Sequence, residues 1–287
     1  MAQSIKYILI LLTAFAMLIQ AQPQAKPAPS PKLPPYCDSN QITTMDVKKC
    51  RCRPHYNGCF TKVDTCKLDI PNRHTNSKLP GCSDNDKLCQ GCGLWFHTLC
   101  DCIKGPSGCE HEGTVTPGGK AVWFLTPKDE KLVTTTDVLP GILEMAKDPA
   151  KYEEAWTFAQ KHYDPGSEVL ALNSVRSRTH EQFHIHVCKR PDVSKDPKVL
   201  KILETAPHNT GPTLKRVGNN DIWCRTVASG NGPVRNFVAA IQAFLKTKTL
   251  CEGLVGAAII RDSHQNLWAC VTGDQHGPLA QFCGPSK

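Results

Sequence analysis

Two histidines separated by a single residue lie in a run whose pattern is typical of a β-strand. Apolar and polar residues alternate along residues 182–187, and alternate side chains of a strand face opposite sides. The alternation predicts one face towards the core, made of Phe183, Ile185 and Val187. It predicts an opposite, exposed face made of Gln182, His184 and His186. Two imidazoles on one face leave three interpretations open: ordinary surface histidines, a pair of metal ligands, or phosphate chemistry.

The loop before this strand favours phosphate chemistry. Residues 173–179 offer the Asn173 amide, the hydroxyls of Ser174, Ser177 and Thr179, and the guanidinium groups of Arg176 and Arg178. Such donors are the groups that bind a phosphate. A metal site would need a further ligand, which His180 or Glu181 could supply, so that alternative stays open.

Four short segments around the two histidines together resemble a known family. They are Leu172-Asn173-Ser174, Arg178-Thr179, Phe183-His184-Ile185-His186 and Cys188-Lys189-Arg190-Pro191-Asp192. In combination they resemble CDP-diacylglycerol pyrophosphatase, a branch of the histidine-triad (HIT-like) superfamily. The close match covers residues 172–192, and a looser agreement in the order of elements runs from about residue 115 to about residue 275. The first triad position is Gln182 rather than histidine, which this branch accepts.

The resemblance implies a role for each site residue. His184 would be the nucleophile that attacks the α-phosphorus, forms a nucleotidyl-histidine and expels phosphatidate, after which water releases CMP. His186 would donate to the phosphate oxygens. The substrate would be bound by Asn173, Arg178, Thr179 and Gln182. The implied mechanism requires no metal and no other cofactor.

Strand and helix signals around the histidines predict an α+β fold. Residues 121–125 and 132–136 are predicted to form a hairpin, and residues 254–260 and 267–271 a second one. Residues 169–174 are predicted to form a strand. Helices are predicted to begin at Asp148-Pro149 and Asp196-Pro197 and to cover residues 234–245. We expect a HIT-like antiparallel sheet with its helices on one side.

Composition divides the chain into four parts. The apolar run near the N-terminus is too short for a transmembrane helix, the alternative interpretation, and predicts a signal peptide. The expected parts are a signal peptide at 1–21, a proline-rich linker at 22–36, a cysteine-rich module at 37–111 and a HIT-like CDP-diacylglycerol pyrophosphatase-like domain at 112–287. The chain is therefore expected to be secreted, or to reside in the lumen of the secretory pathway.

The 16 cysteines agree with an oxidising compartment, where they would form disulfides. Eleven lie between Cys37 and Cys109, and five lie between Cys188 and Cys283. Because both numbers are odd, we expect a bridge between the two groups, with Cys188 as a candidate. An alternative for the module is a zinc site formed by Cys89, Cys92, Cys100, Cys102 and His97.

Two functions from different classes fit these features. The first is a hydrolase whose partner is a nucleotide or a nucleotide-lipid, with transient contact to a membrane surface. The second is a secreted binding protein that uses the cysteine-rich module and a vestigial HIT-like scaffold. The formal net charge of +8 is not concentrated in one run and is typical of a solvated surface, so nucleic acid is not an expected partner.

Overall fold

A computed structural model of the protein describes the chain from residue 109 onward with short gaps. The residues described are 32, 35, 99, 102, 109–114, 119–126, 131–137, 139–174, 177–178, 182–192, 194, 198–218, 221–227, 232–247, 252–274 and 276–285. The expected signal peptide, and the linker and cysteine-rich module apart from these few residues, lie outside the described residues. The chain divides into two units, Met1–Pro34 and Pro35–Lys287, and every element below belongs to the second.

The described residues form a mixed α+β structure around one antiparallel sheet. Its strands are β1 (Glu110–Glu112), β2 (Trp123–Leu125), β3 (Lys131–Thr135), β4 (Glu168–Leu172), β5 (His184–Lys189), β6 (Lys215–Arg216), β7 (Ile222–Thr226), β8 (Gly256–Arg261) and β9 (Leu267–Thr272). Their order across the sheet is β1-β2-β3-β5-β4-β8-β9-β7-β6, and every neighbouring pair is antiparallel. The expected antiparallel α+β class is thus confirmed.

The described residues contain five α-helices, and a 3-10 turn at Glu252–Leu254 precedes β8. The helices are α1 (Ile142–Met145), α2 (Pro149–Lys161), α3 (Lys198–Thr205), α4 (Phe237–Thr247) and α5 (Gly277–Phe282). The Asp148 side chain accepts the Lys151 N–H and Pro149 occupies the first turn, as expected for α2. None of the helices in the described part of the chain is long and apolar enough to cross a membrane.

One face of the sheet packs against α1, α2 and α4. Ile142, Trp156 and Phe237 from these helices meet Ile185 and Leu170 of the central strands in one apolar cluster. The two long helices are also joined by hydrogen bonds, since the Glu153 carboxylate of α2 accepts the backbone N–H groups of Phe237 and Val238. These contacts satisfy two backbone N–H groups in the first turn of α4, which have no acceptor within the helix.

The opposite face is covered as well, which corrects the expectation of a sheet covered on one side. Leu200 and Leu203 of α3 and Phe282 of α5 form a second apolar cluster with Ile260 and Trp268 of the sheet. Strands β4, β8 and β9 are apolar on both faces, so they need cover on both.

Three disulfides lie among the described residues. They join Cys102 to Cys109, Cys188 to Cys283 and Cys224 to Cys270. The choice of Cys188 for a bridge between the two cysteine groups was therefore wrong: β5 presents Cys188 to the end of α5, where Cys283 is its near neighbour. Cys102 is likewise committed to Cys109 and is not available to the alternative zinc site.

Candidate functional site

His184 and His186 lie side by side at the start of β5, which is the fourth of nine strands in the order across the sheet. Strand β5 runs between β3 and β4, with His184 opposite Thr134, and with His186 between Leu132 and Ala171. Their ring centroids are 4.9 Å apart with the planes at 70°. His184 and His186 share one face of β5 and the apolar residues lie on the other, as predicted.

The expected exposure of these histidines was wrong. His184 is 5% exposed and His186 is 8% exposed. Asn173, directly after β4, contacts the His186 ring, and alternation within one strand does not reveal cover from other parts of the chain. Buried imidazoles need defined hydrogen-bond partners, because an unpaired buried polar group is costly.

A backbone carbonyl fixes the orientation of the His184 ring. Nδ1 of His184 lies 2.6 Å from the carbonyl oxygen of Gln182. Because a carbonyl oxygen only accepts, Nδ1 carries the proton. In the neutral ring the lone pair then resides on Nε2, which is the arrangement that a nucleophilic imidazole needs.

Asn173 holds the ring of His186 from the end of β4. The Asn173 Nδ2 lies 3.3 Å from Nε2 of His186, and its Oδ1 accepts a hydrogen bond of 3.2 Å from the Ser177 hydroxyl. Ser177 is fixed in turn by Ser174, whose hydroxyl lies 2.9 Å from its own. The structure thus brings together Asn173, His184 and His186, three of the residues that the sequence pointed to.

Gln182 is buried and its amide is engaged with the backbone. Its Nε2 donates to the carbonyl oxygens of Thr135 at 2.6 Å and of Asp137 at 3.3 Å. These bonds tie the start of β5 to the end of β3, which in turn places the carbonyl that orients His184. The contacts give Gln182 a positioning role, and its predicted contact with substrate stays a prediction.

The Asp137 carboxylate joins this support to helix α2. It accepts Lys151 Nζ at 2.5 Å and the Tyr152 hydroxyl at 2.7 Å. Burial alone would lower the pKa of Lys151, but its hydrogen bonds to Asp137 and Tyr152 outweigh that effect and hold the pKa above its usual value. Burial, together with the hydrogen bond to Asp137, raises the pKa of Tyr152. Both groups therefore keep their protons at neutral pH.

Arg178 is buried beside the loop that precedes α1. Its backbone N–H donates to the Ser174 carbonyl at 3.0 Å. Its guanidinium lies so close to Gly141 that a Cβ there would come within 2.1 Å of Nη1. Gly141 must therefore remain glycine for Arg178 to occupy this position. Thr179, together with His180 and Glu181, lies outside the described residues, so the predicted role of Thr179 stays a prediction.

A second loop reaches the same end of the sheet, and the sequence analysis did not identify it. Strands β4 and β9 both end here, because Leu172 pairs with Ala257 and Thr272 pairs with Gly256 at the start of β8. The loop after β9 leads into α5 at Gly277, where a Cβ would lie 2.5 Å from Ser177 Cβ. Asp274 followed by Gly277-Pro278 is a helix-start signal that could have located it.

The described residues contain no group of three or more His, Cys, Asp or Glu side chains arranged to hold a metal ion. No protein-family model matches the chain, and comparison with curated proteins finds no match either.

Proposed function

We propose that the protein is a hydrolase of nucleotide pyrophosphate esters that works through a nucleotidyl-His184 intermediate. The observation that carries the proposal is the bond from His184 Nδ1 to the Gln182 carbonyl, which puts the lone pair of the neutral ring on Nε2. The resemblance of residues 172–192 to CDP-diacylglycerol pyrophosphatase suggests CDP-diacylglycerol as a substrate, with CMP and phosphatidate as products.

In the first step, His184 Nε2 attacks the α-phosphorus and the bond from this phosphorus to the leaving phosphate oxygen breaks. In the second step, water attacks the same phosphorus and the P–N bond breaks. A covalent intermediate divides one difficult displacement into two easier ones. His186 and Asn173 lie beside the nucleophile, where donors can stabilise the negative charge on the equatorial oxygens.

The Asn173–His186 pair suits this stabilising role. With its Oδ1 bonded to Ser177, Asn173 presents Nδ2 to His186, and this NH2 group is a donor that can turn to a phosphate oxygen. A phosphate oxygen that enters beside His184 would replace the 3.3 Å contact between them.

Secretion and contact with a lipid surface belong to the same proposal. Three disulfides among the described residues fit an oxidising compartment. A nucleotide-lipid substrate would require only transient contact with a membrane surface.

The test is turnover by the purified full-length mature protein. CDP-diacylglycerol and a panel of nucleotide diphosphate esters are supplied, and released CMP or another nucleotide is measured. His184→Ala should fall to background and trap no acid-labile nucleotidyl-enzyme. His186→Ala loses only a donor, so it should slow by about 10²–10³-fold and still form some intermediate.

The exposed His264, in the turn between β8 and β9, provides a matched control, and His264→Ala should turn over as the wild type does. Because the nucleophile is an imidazole rather than a metal-bound hydroxide, activity should survive EDTA. Turnover by His184→Ala at the wild-type rate contradicts the mechanism, and so does loss with EDTA that zinc restores. If the wild type turns over no nucleotide ester, the secreted binding protein becomes the better interpretation.

A further inference from the structure

A third histidine stands at the site end of the sheet, in the loop between β9 and α5. Asp274 is the second residue of this loop, and its backbone N–H donates to the Thr272 hydroxyl at 3.1 Å. The loop ends at Gly277, where a Cβ would lie 2.6 Å from Ser177 Oγ and 3.9 Å from Asn173 Oδ1. His276 directly precedes Gly277, so its Cα lies about 3.8 Å from that of Gly277. Ser177 and Asn173 connect this loop to the ring of His186 through their hydrogen bonds.

The Asp274 carboxylate fixes the ring of His276. Its Oδ1 accepts the backbone N–H of His276 at 2.7 Å and the ring Nδ1 at 2.6 Å. A carboxylate accepts, so Nδ1 carries the proton and Nε2 of the neutral ring has a free lone pair. An imidazole held in this way presents Nε2 as a proton acceptor.

A purely structural role would be to begin helix α5. The bond from the His276 backbone N–H to Asp274 suffices for that purpose, and it would form with any non-proline residue at this position. The additional bond to the ring is specific to histidine. The ring is also open to water, since 68% of the His276 side chain is exposed, whereas 31% of the Asp274 side chain is. Capping alone therefore does not account for the arrangement.

In the second step of the proposed reaction, neither histidine of β5 is available as a base. In the second step His184 is bonded to phosphorus, and His186 faces the phosphate oxygens. Attack by water still needs a group that removes a proton, and a positioned imidazole is the commonest such group.

We infer that His276 is a catalytic residue of this second step, the general base that activates water; this inference rests on the proposed function. The water oxygen forms a bond to phosphorus, and one water proton passes to Nε2 of His276. The P–N bond breaks and its electron pair returns to the His184 ring. The products are the nucleoside monophosphate and free His184, and His276 then releases its proton to solvent. Asp274 is a positioning residue that acts through His276.

The test separates formation of the nucleotidyl-enzyme from its decay. The full-length protein is mixed with a single equivalent of CDP-diacylglycerol labelled in the cytidine, samples are denatured in alkali, and protein-bound label is followed. In His276→Ala and His276→Asn, formation should proceed as in the wild type and decay should slow by about 10²–10⁴-fold. Label therefore accumulates on the variants. Asp274→Asn should also slow decay without slowing formation, and His264→Ala should match the wild type in both steps.

Decay at the wild-type rate in both His276 variants overturns the inference and leaves the proposed function intact. Equal slowing of formation and decay also overturns it, because that result indicates a structural role only. If the wild type never carries label with this substrate or with any of the labelled nucleotide diphosphate esters, the covalent mechanism fails, and the role of His276 fails with it.

Discussion

At the scale of single residues, the site depends on two hydrogen bonds that give two adjacent histidines different roles. Gln182 contributes its backbone carbonyl to His184, and Asn173 contributes its amide to His186. The sequence predicted that these residues share a region, because alternation places both rings on one face and Asn173 stands at the end of the preceding strand. It could not predict which atom contacts which ring, since that depends on how β3, β4 and β5 pair.

The predicted set of phosphate-binding residues illustrates the same limit. The donor chemistry of the loop selected Arg178 and the resemblance selected Gln182, yet both side chains are deeply buried. The Gln182 amide is committed to Thr135 and Asp137, and the Arg178 guanidinium lies against Gly141. A side chain that can donate to a phosphate can equally donate to a buried backbone carbonyl or pack against a loop. Only the tertiary structure distinguishes these uses.

Gly277→Ala should damage the site although residue 277 carries no functional group. Gly277 has φ +77°, a left-handed conformation that costs a residue with a Cβ about 1–2 kcal/mol. The new methyl group would also meet Ser177 at 2.5 Å, and Ser177 holds Asn173. We expect lower stability in urea unfolding and a lower rate of nucleotide release.

Gly211→Ala is the control for this substitution, because its φ is not positive and its Cβ would meet only Asn209 Oδ1 at 3.4 Å. Gly211→Ala should leave the stability in urea and the rate of nucleotide release near those of the wild type. Equal behaviour of the two variants would show that the contact between Gly277 and Ser177 does not support the site.

At the scale of elements, the two longest helices and both hairpins were predicted, whereas the shortest helices and strand β7 were not. Helix α2 was predicted from its capping residues and its apolar face, and α4 from its apolar spacing, and both are present. Helix α5 has six residues and begins at a glycine with positive φ, so it offers little periodicity. Strand β7 was missed, although all but one of its residues are buried.

Helix α5 is the element that connects the site to the rest of the covering layer. Its first residue packs on Ser177, while the Cys188–Cys283 disulfide joins its far end to β5, the strand that carries the two histidines. The backbone N–H of Gly284 adds a hydrogen bond of 2.7 Å to the Lys189 carbonyl. The sequence could not reveal this connection, because the two cysteines are 95 residues apart.

Replacing both Cys188 and Cys283 with alanine should therefore affect stability and activity together. Loss of a bridge that closes a long loop lowers the free energy of unfolding by about 2–4 kcal/mol. Because α5 also supports Ser177 and His276, nucleotide release should slow even at temperatures where the variant stays folded. Urea unfolding and steady-state turnover measure the two effects separately.

The matched control replaces Cys224 and Cys270, which face each other across the paired strands β7 and β9. Their replacement by alanine should lower stability and leave turnover of the folded protein unchanged. Equal turnover in the two double variants would contradict the role given to α5.

At the scale of the whole molecule, helices cover both faces of the sheet, and this cover determines where the site lies. The expected single layer of helices would have left His184 and His186 on an open surface. Instead, α3 and α5 bury much of that face, and the site remains at the end of the sheet where β4 and β9 end and β5 and β8 begin. Residues distant in sequence meet there, because Gly277 at the start of α5 lies against Ser177.

The numbers of cysteines lead to a prediction about how the two parts of the chain are joined. Of the five cysteines between Cys188 and Cys283, four are paired with one another, which leaves Cys251. Among the eleven between Cys37 and Cys109, one pair is Cys102–Cys109, which leaves nine. Nine cysteines cannot all pair among themselves, and Cys251 has no partner left in its own group.

We therefore expect one disulfide between Cys251 and a cysteine of the 37–100 segment. Exported proteins ordinarily keep all their cysteines paired, and Cys251 lies outside the described residues, so the prediction rests on the pairing of the others. Digestion without reduction, followed by mass spectrometry, should yield one peptide pair that links residue 251 to this segment. Recovery of Cys251 as a free thiol, with one further free thiol in the 37–100 segment, would contradict the prediction. It would also mean that no disulfide fastens the cysteine-rich module to the domain that carries His184.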